Sequence, residues 1–173
     1  MNIPPLPQSF DANEWFVLVI SISAYSLMWL LPRRFPPAVS VFVFLFGLFL
    51  ARWADHIFGT NGAFDFYDTH DSPKMELADL CTYPMYAAFG YLFVYIYDRL
   101  GIRGRLQTSL FIVFCSLAGT GLEYAGLRVH MFTYKGWNLF FSFLFYMLAL
   151  SLTIVYFHWI RREYARISPS CRE

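Results

Sequence analysis

The chain has 173 residues, of which 58% are hydrophobic and only 14% charged, against roughly a quarter charged in an ordinary soluble domain. A formal net charge of +1 leaves no basic face broad enough to track phosphates, so no nucleic-acid partner is expected. Cys81, Cys115 and Cys171 are odd in number, and the first two fall in apolar segments at different depths, so no disulfide framework is implied.

Residues 1 to 13 hold three prolines, Asp11 and no Lys or Arg. They lack the charged start of a secretory signal, so the first apolar segment is expected to stay as a span. Five apolar stretches follow, at about 15 to 31, 37 to 54, 77 to 97, 106 to 127 and 138 to 160. Each is near the roughly 17–25 residues that cross hydrocarbon, and an open sheet edge in lipid would leave backbone groups unpaired. Leu31-Pro32-Arg33-Arg34-Phe35-Pro36-Pro37 separates the first two spans, and Gly101 and Gly104 mark the turn after the third. Residues 55 to 76 form the one long loop, and 161 to 173 a basic tail. The predicted fold is all-α: a single transmembrane domain over residues 1 to 173, with about five spanning helices.

Lys and Arg near span ends are retained on the cytoplasmic side. Arg33, Arg34, Arg99, Arg103, Arg105, Arg161, Arg162, Arg166 and Arg172 fall on one side of an alternating five-span path. The other side has Arg52, Lys74, Arg128 and Lys135. Nine against four predicts an outside N-terminus and a cytoplasmic C-terminus. No internal repeat is visible, and five spans cannot divide into the equal inverted halves of many transporters. A self-contained alternating-access carrier is disfavoured unless the chain forms a homo-oligomer; membrane lipids are the expected surroundings, and a membrane partner protein stays open.

With this topology most acids lie at the outer level. Glu14 opens the first span, Asp55 closes the second, and Glu76 and Asp79 open the third. Asp65, Asp68 and Asp71 occupy the long loop with His56 and His70, and His130 the last outer loop. Helix ends meet water, and the macrodipole favours Glu14, Glu76 and Asp79 at helix starts; Asp55 has Arg52 three residues earlier on its own helix face. Glu123 differs. It stands at a helix C-terminal end, where the dipole disfavours an anion, with Gly119 and Gly126 on the same face. An acid there must be paired, protonated or coordinating, and Arg128 or Arg52 are its candidate partners.

Steps of about 3.6 residues from Asp79 reach Tyr83, Tyr86, Gly90 and Tyr97. Such a face reads as packed tyrosines bonding to neighbours, or as a proton or ion path. Pro84 removes a backbone donor within this span. The candidate metal ligands are Asp55, Asp68, Asp71, Glu76, Asp79, Glu123 and His130. Oxygen ligands would favour calcium, magnesium or manganese, and histidines would admit zinc, although the spacing fits no standard calcium loop. The candidate ligand-binding residues are Asp55, Tyr83, Tyr86, Arg52 and Arg128, and Glu123 and Asp79 are the candidate acid and base. HExxH, GxSxG, Walker and twin-histidine motifs are absent. Trp15, Trp29, Trp53, Trp137 and Trp159 fall near span ends and read as interfacial anchors.

The set Leu31-Pro32-Arg33-Arg34-Phe35-Pro36, Asp55, Tyr67-Asp68, Asp71, Glu76-Leu77, Asp79, Tyr83-Pro84, Phe89-Gly90-Tyr91, Tyr95, Tyr97-Asp98-Arg99, Glu123, Tyr134 and Trp137 resembles a family of small, uncharacterised multi-span membrane proteins of spore-forming Firmicutes. The resemblance covers the first span to the start of the fifth and implies a bacterial plasma membrane, with no activity to carry over. A fainter similarity links Glu123, Gly126, Tyr134 and Trp137 to membrane carotenoid-modifying enzymes, in which an acid beside aromatic rings serves carbocation chemistry.

The leading expectation is a non-enzymatic membrane protein with an outward-facing acidic pocket for a cation, proton or polar ligand, as part of a channel, transporter or sensor; a divalent metal is the candidate cofactor. The alternatives are an enzyme acting on a lipid or isoprenoid through Glu123 and Asp79, and a structural membrane subunit.

Overall fold

The computed structural model describes residues 10–59, 62–69 and 77–168, with side chains of the third helix described from Thr82 onward. Its helices are α1 (Ala12–Leu30), α2 (Pro37–Phe58), α3 (Leu77–Arg99), α4 (Arg105–Arg128) and α5 (Leu139–Ile167), and its strands β1 (Tyr67–Thr69) and β2 (Phe132–Tyr134). α1, α2, α4 and α5 are each long and apolar enough to cross a membrane. The chain is a multi-pass membrane protein.

Local chemistry sets the helix starts. Asp11 caps α1 and Glu14 reaches back to its backbone N–H at 3.0 Å, completing a capping box. Pro37 occupies the first turn of α2, where its missing N–H costs nothing. Asn138 caps α5 by accepting from Phe140 and Phe141 at 3.0 and 3.1 Å. α5 continues to Ile167, so residues 161 to 167 of the expected tail are helix, with Arg166 paired to Glu163 at 2.7 Å.

α3 is the centre of the bundle, packed against α1, α2 and α5, with Ala87, Ala88, Val94 and Tyr95 almost wholly buried. Its tyrosines are tolerated because neighbouring helices, and not lipid, cover them. Apolar side chains gain nothing by leaving lipid for protein, so close packing and interhelical hydrogen bonds hold such a bundle. Both are visible here. A methyl on Gly47 would lie 3.1 Å from the Cα of Ala87 and 3.2 Å from the carbonyl oxygen of Tyr86, so only glycine lets α2 approach α3 this closely. Tyr25 donates to the Pro84 carbonyl at 3.0 Å, and Tyr95 to the Pro32 carbonyl at 3.2 Å. Each such bond contributes about 0.6–2 kcal/mol.

The two ends of the bundle are built differently. At one end Asp98, just past the expected third span, accepts from Arg34 in the first connection and from Arg161 on α5. Burial pushes the Asp98 carboxyl up, but the hydrogen bonds and charges of the two arginines outweigh it and hold the group below its ordinary value. At the other end β1 and β2 pair antiparallel, Tyr67 opposite Tyr134, Asp68 opposite Thr133 and Thr69 opposite Phe132. This small sheet joins the loop after α2 to the α4–α5 connection. The Phe66 carbonyl accepts from Lys135, Gly136 and Trp137 at 2.8–3.3 Å, so the loop backbone finds partners without reaching into lipid.

Candidate functional site

Below the β1–β2 sheet, α2, α3, α4 and α5, with Phe16 of α1, line a half-open cavity of about 390 Å³, within the range of small-molecule sites. Its lining is mostly apolar, with Asp55, Tyr67, Tyr86, Glu123, Trp137, Ser142 and Tyr146 as polar exceptions beside one another at the sheet end. Toward the arginine-rich end the lining passes to Phe93, Cys115, Ala149 and Leu150. Thr153 also lines it, but its hydroxyl turns back to the Ala149 carbonyl at 2.8 Å.

Glu123 is the hub. Its Oε1 accepts from the Tyr134 hydroxyl at 2.5 Å and the Ser142 hydroxyl at 2.7 Å, and its Oε2 from the Tyr146 hydroxyl at 2.7 Å. The Trp137 indole N–H donates to the Ser142 oxygen at 2.7 Å and orients that hydroxyl. The donors come from β2, from the start of α5 and from its second turn, so the site exists only once α4, β2 and α5 are packed. Ser142 and Tyr146 share one face of α5 because they are four residues apart. A methyl on Gly119, one turn before Glu123, would meet the Tyr146 ring at 3.4 Å, and one on Gly126 would meet Met131 at 3.4 Å, both ordinary contacts, so this face packs closely without depending on glycine.

Asp55 forms the second polar corner, accepting from the Tyr67 hydroxyl at 2.7 Å. Burial, followed by the carboxylates they face, pushes the Tyr67 and Tyr134 phenols upward, so both stay protonated and act as donors. Tyr86 lies between the corners, within electrostatic range of Glu123 and Asp55, and its hydroxyl makes no hydrogen bond to a described residue.

The structure therefore brings Glu123, Asp55 and Tyr86 together and separates them from other candidates. Arg128 is exposed at the end of α4, five residues and about 140° around the helix from Glu123. The Arg52 guanidinium lies over the Tyr83 ring, 5.7 Å from its centroid. Neither forms an ion pair with Glu123 among the described residues, so the Arg pairing that was one of three alternatives is not seen there: neutral hydroxyls hold this acid. Asp68 bonds instead to Lys135 at 2.9 Å, and His130 is exposed in the turn after α4 with φ of 58°. Asp71 and Glu76 lie outside the described residues, as does the Asp79 side chain. Among the described residues no three His, Cys, Asp or Glu gather as metal ligands. Of the tyrosine face of α3, Tyr86 and Gly90 line this cavity, while Tyr97 bonds to Thr108 and His158 at the opposite end.

Two of the residues that build the site, Ser142 and Tyr146, had no part in the sequence-based reading; Tyr67 entered it only through the Firmicutes resemblance, and Trp137 only as an anchor and through the two resemblances. The available signal was the polar series Asn138, Ser142 and Tyr146, at four-residue steps along the otherwise apolar first half of the fifth span. No family model, curated protein or solved structure matches the chain.

Proposed function

We propose that the protein binds a small polar or charged ligand in this cavity, from the outer face of a bacterial plasma membrane, as a ligand-binding or sensing component. The outward orientation follows from the arginine distribution, and the bacterial membrane from the resemblance to the Firmicutes family. The observation that carries the reading is Glu123, held by three neutral donors on the wall of a cavity. A charge kept in so apolar a place is usually functional. A conduction path fits less well, because the lining turns apolar at Phe93, Cys115 and Leu150 before the arginine-rich end.

Protein extracted from its native membrane into nanodiscs tests this by mass spectrometry. The wild type should release a small molecule distinct from bulk lipid, and Ala118→Phe, which fills the cavity, should lack it while remaining helical. Bulk lipid alone in both samples would contradict the proposal.

A further inference from the structure

Resting on the ligand-pocket reading above, the geometry points to one class of occupant: a lipophilic cation, with an ammonium head at Glu123 and an apolar body extending toward Phe93 and Leu150. Three features select it. The first is charge. Glu123 lines the cavity, none of the described lining residues is Lys, Arg or His, and the three groups that bond Glu123 are neutral. An anionic ligand would be repelled, and a neutral one would leave the carboxylate without a counter-charge.

The second is coordination. A carboxylate has about four acceptor positions; Tyr134 and Ser142 take two on Oε1 and Tyr146 one on Oε2. One acceptor position remains, which suits the single N–H of a substituted ammonium, or a close approach by a quaternary one. A bare calcium ion needs about six to eight oxygens, and the hydroxyls here are already committed as donors. Tyr86 adds a phenol without a described partner at the same place.

The third is the wall. Phe58, Tyr67, Tyr86, Trp137, Phe145 and Tyr146 surround the acids, with Phe58 and Trp137 ring centroids 5.1 Å apart and Tyr67 and Trp137 5.9 Å apart. Aromatic faces beside a carboxylate are how proteins hold alkylammonium groups. Below them the lining offers apolar contact alone, which rejects small hydrated cations and accepts a greasy one.

Cys115 lines the lower cavity and reports occupancy, in protein carrying Cys81→Ser and Cys171→Ser and reconstituted in nanodiscs. Three probes share one tail: 4-phenylbutyl-trimethylammonium, its uncharged analogue with carbon in place of nitrogen, and 4-phenylbutyl phosphonate. The ammonium should protect Cys115 from methyl methanethiosulfonate at a concentration at least about tenfold below the uncharged analogue, a difference of about 1.4 kcal/mol. The phosphonate should not protect. Glu123→Gln should bring the ammonium and its analogue together. Equal protection by these two in the wild type would overturn the cation assignment and leave the ligand pocket standing. No protection by any probe would overturn both. The wild-type comparison decides the matter even where Glu123→Gln does not fold.

Discussion

Two carboxylates mark opposite ends of this bundle, and their partners differ in kind. Asp98 meets two guanidinium groups, Arg34 and Arg161, so its charge is balanced within the chain. Glu123 meets Tyr134, Ser142 and Tyr146, neutral hydroxyls that orient the carboxyl group and bring no counter-charge. The first arrangement ties a connection and two helices together at the membrane boundary. The second holds an acid on the wall of a cavity.

The largest expected effect breaks the cavity end and spares the other. Gly47→Leu forces α2 away from the Ala87 backbone and should lower stability by about 3 kcal/mol, measured by thermal unfolding in detergent. The acid sensitivity contributed by Asp98 should survive in that variant, because the arginine end is not touched. A fully stable Gly47→Leu protein would show that the close approach of α2 and α3 is unnecessary.

Tyr146→Phe comes next. It removes a single hydrogen bond, but one to a charged group, so about 2 kcal/mol of stability should go with it. Asp98→Asn, although it breaks two ion pairs, should cost only about 1 kcal/mol, because both arginines are partly exposed and each such pair contributes about 0.2–1 kcal/mol. Comparison of the two melting temperatures sharpens the contrast. The reverse order would mean that the arginine end carries more of the stability than the hydroxyl cluster.

The smallest effect is in pH. Asp98 is held below its ordinary carboxylate value in the folded chain. Its contribution is therefore fully present above the unfolded pKa of about 3.9, and it is lost as the pH falls through the lower folded value. Thermal stability should drop on acidification below about pH 4, and Asp98→Asn should remove that component. An unchanged acid limb in the variant would assign it to other carboxylates.

The helices were legible because apolar runs and breakers are local signals. The fifth was read short, since hydropathy ends near Ile160 while the helix continues through Arg161 and Arg162 into water. The β1–β2 sheet was not legible at all: three residues on either side pair across more than sixty positions of chain, and nothing local marks them. Glu123 stood out as an acid at the unfavourable end of a helix. Its partners did not, because helix spacing suggests nearby Arg128, while packing supplies Tyr134, Ser142 and Tyr146. Asp68 read as a candidate metal ligand, and its pairing with Lys135, counted only for topology, was not foreseen.

What Glu123 holds decides the role of the cavity. An experimental structure of the wild-type protein taken from its native membrane, solved beside Glu123→Gln, addresses this most directly. Non-protein density in contact with the Glu123 Oε2 and running down toward Cys115 is predicted in the wild type and should be lost or displaced in the variant. Solvent alone, or identical acyl-chain density in both structures with nothing touching the carboxylate, would contradict a binding role.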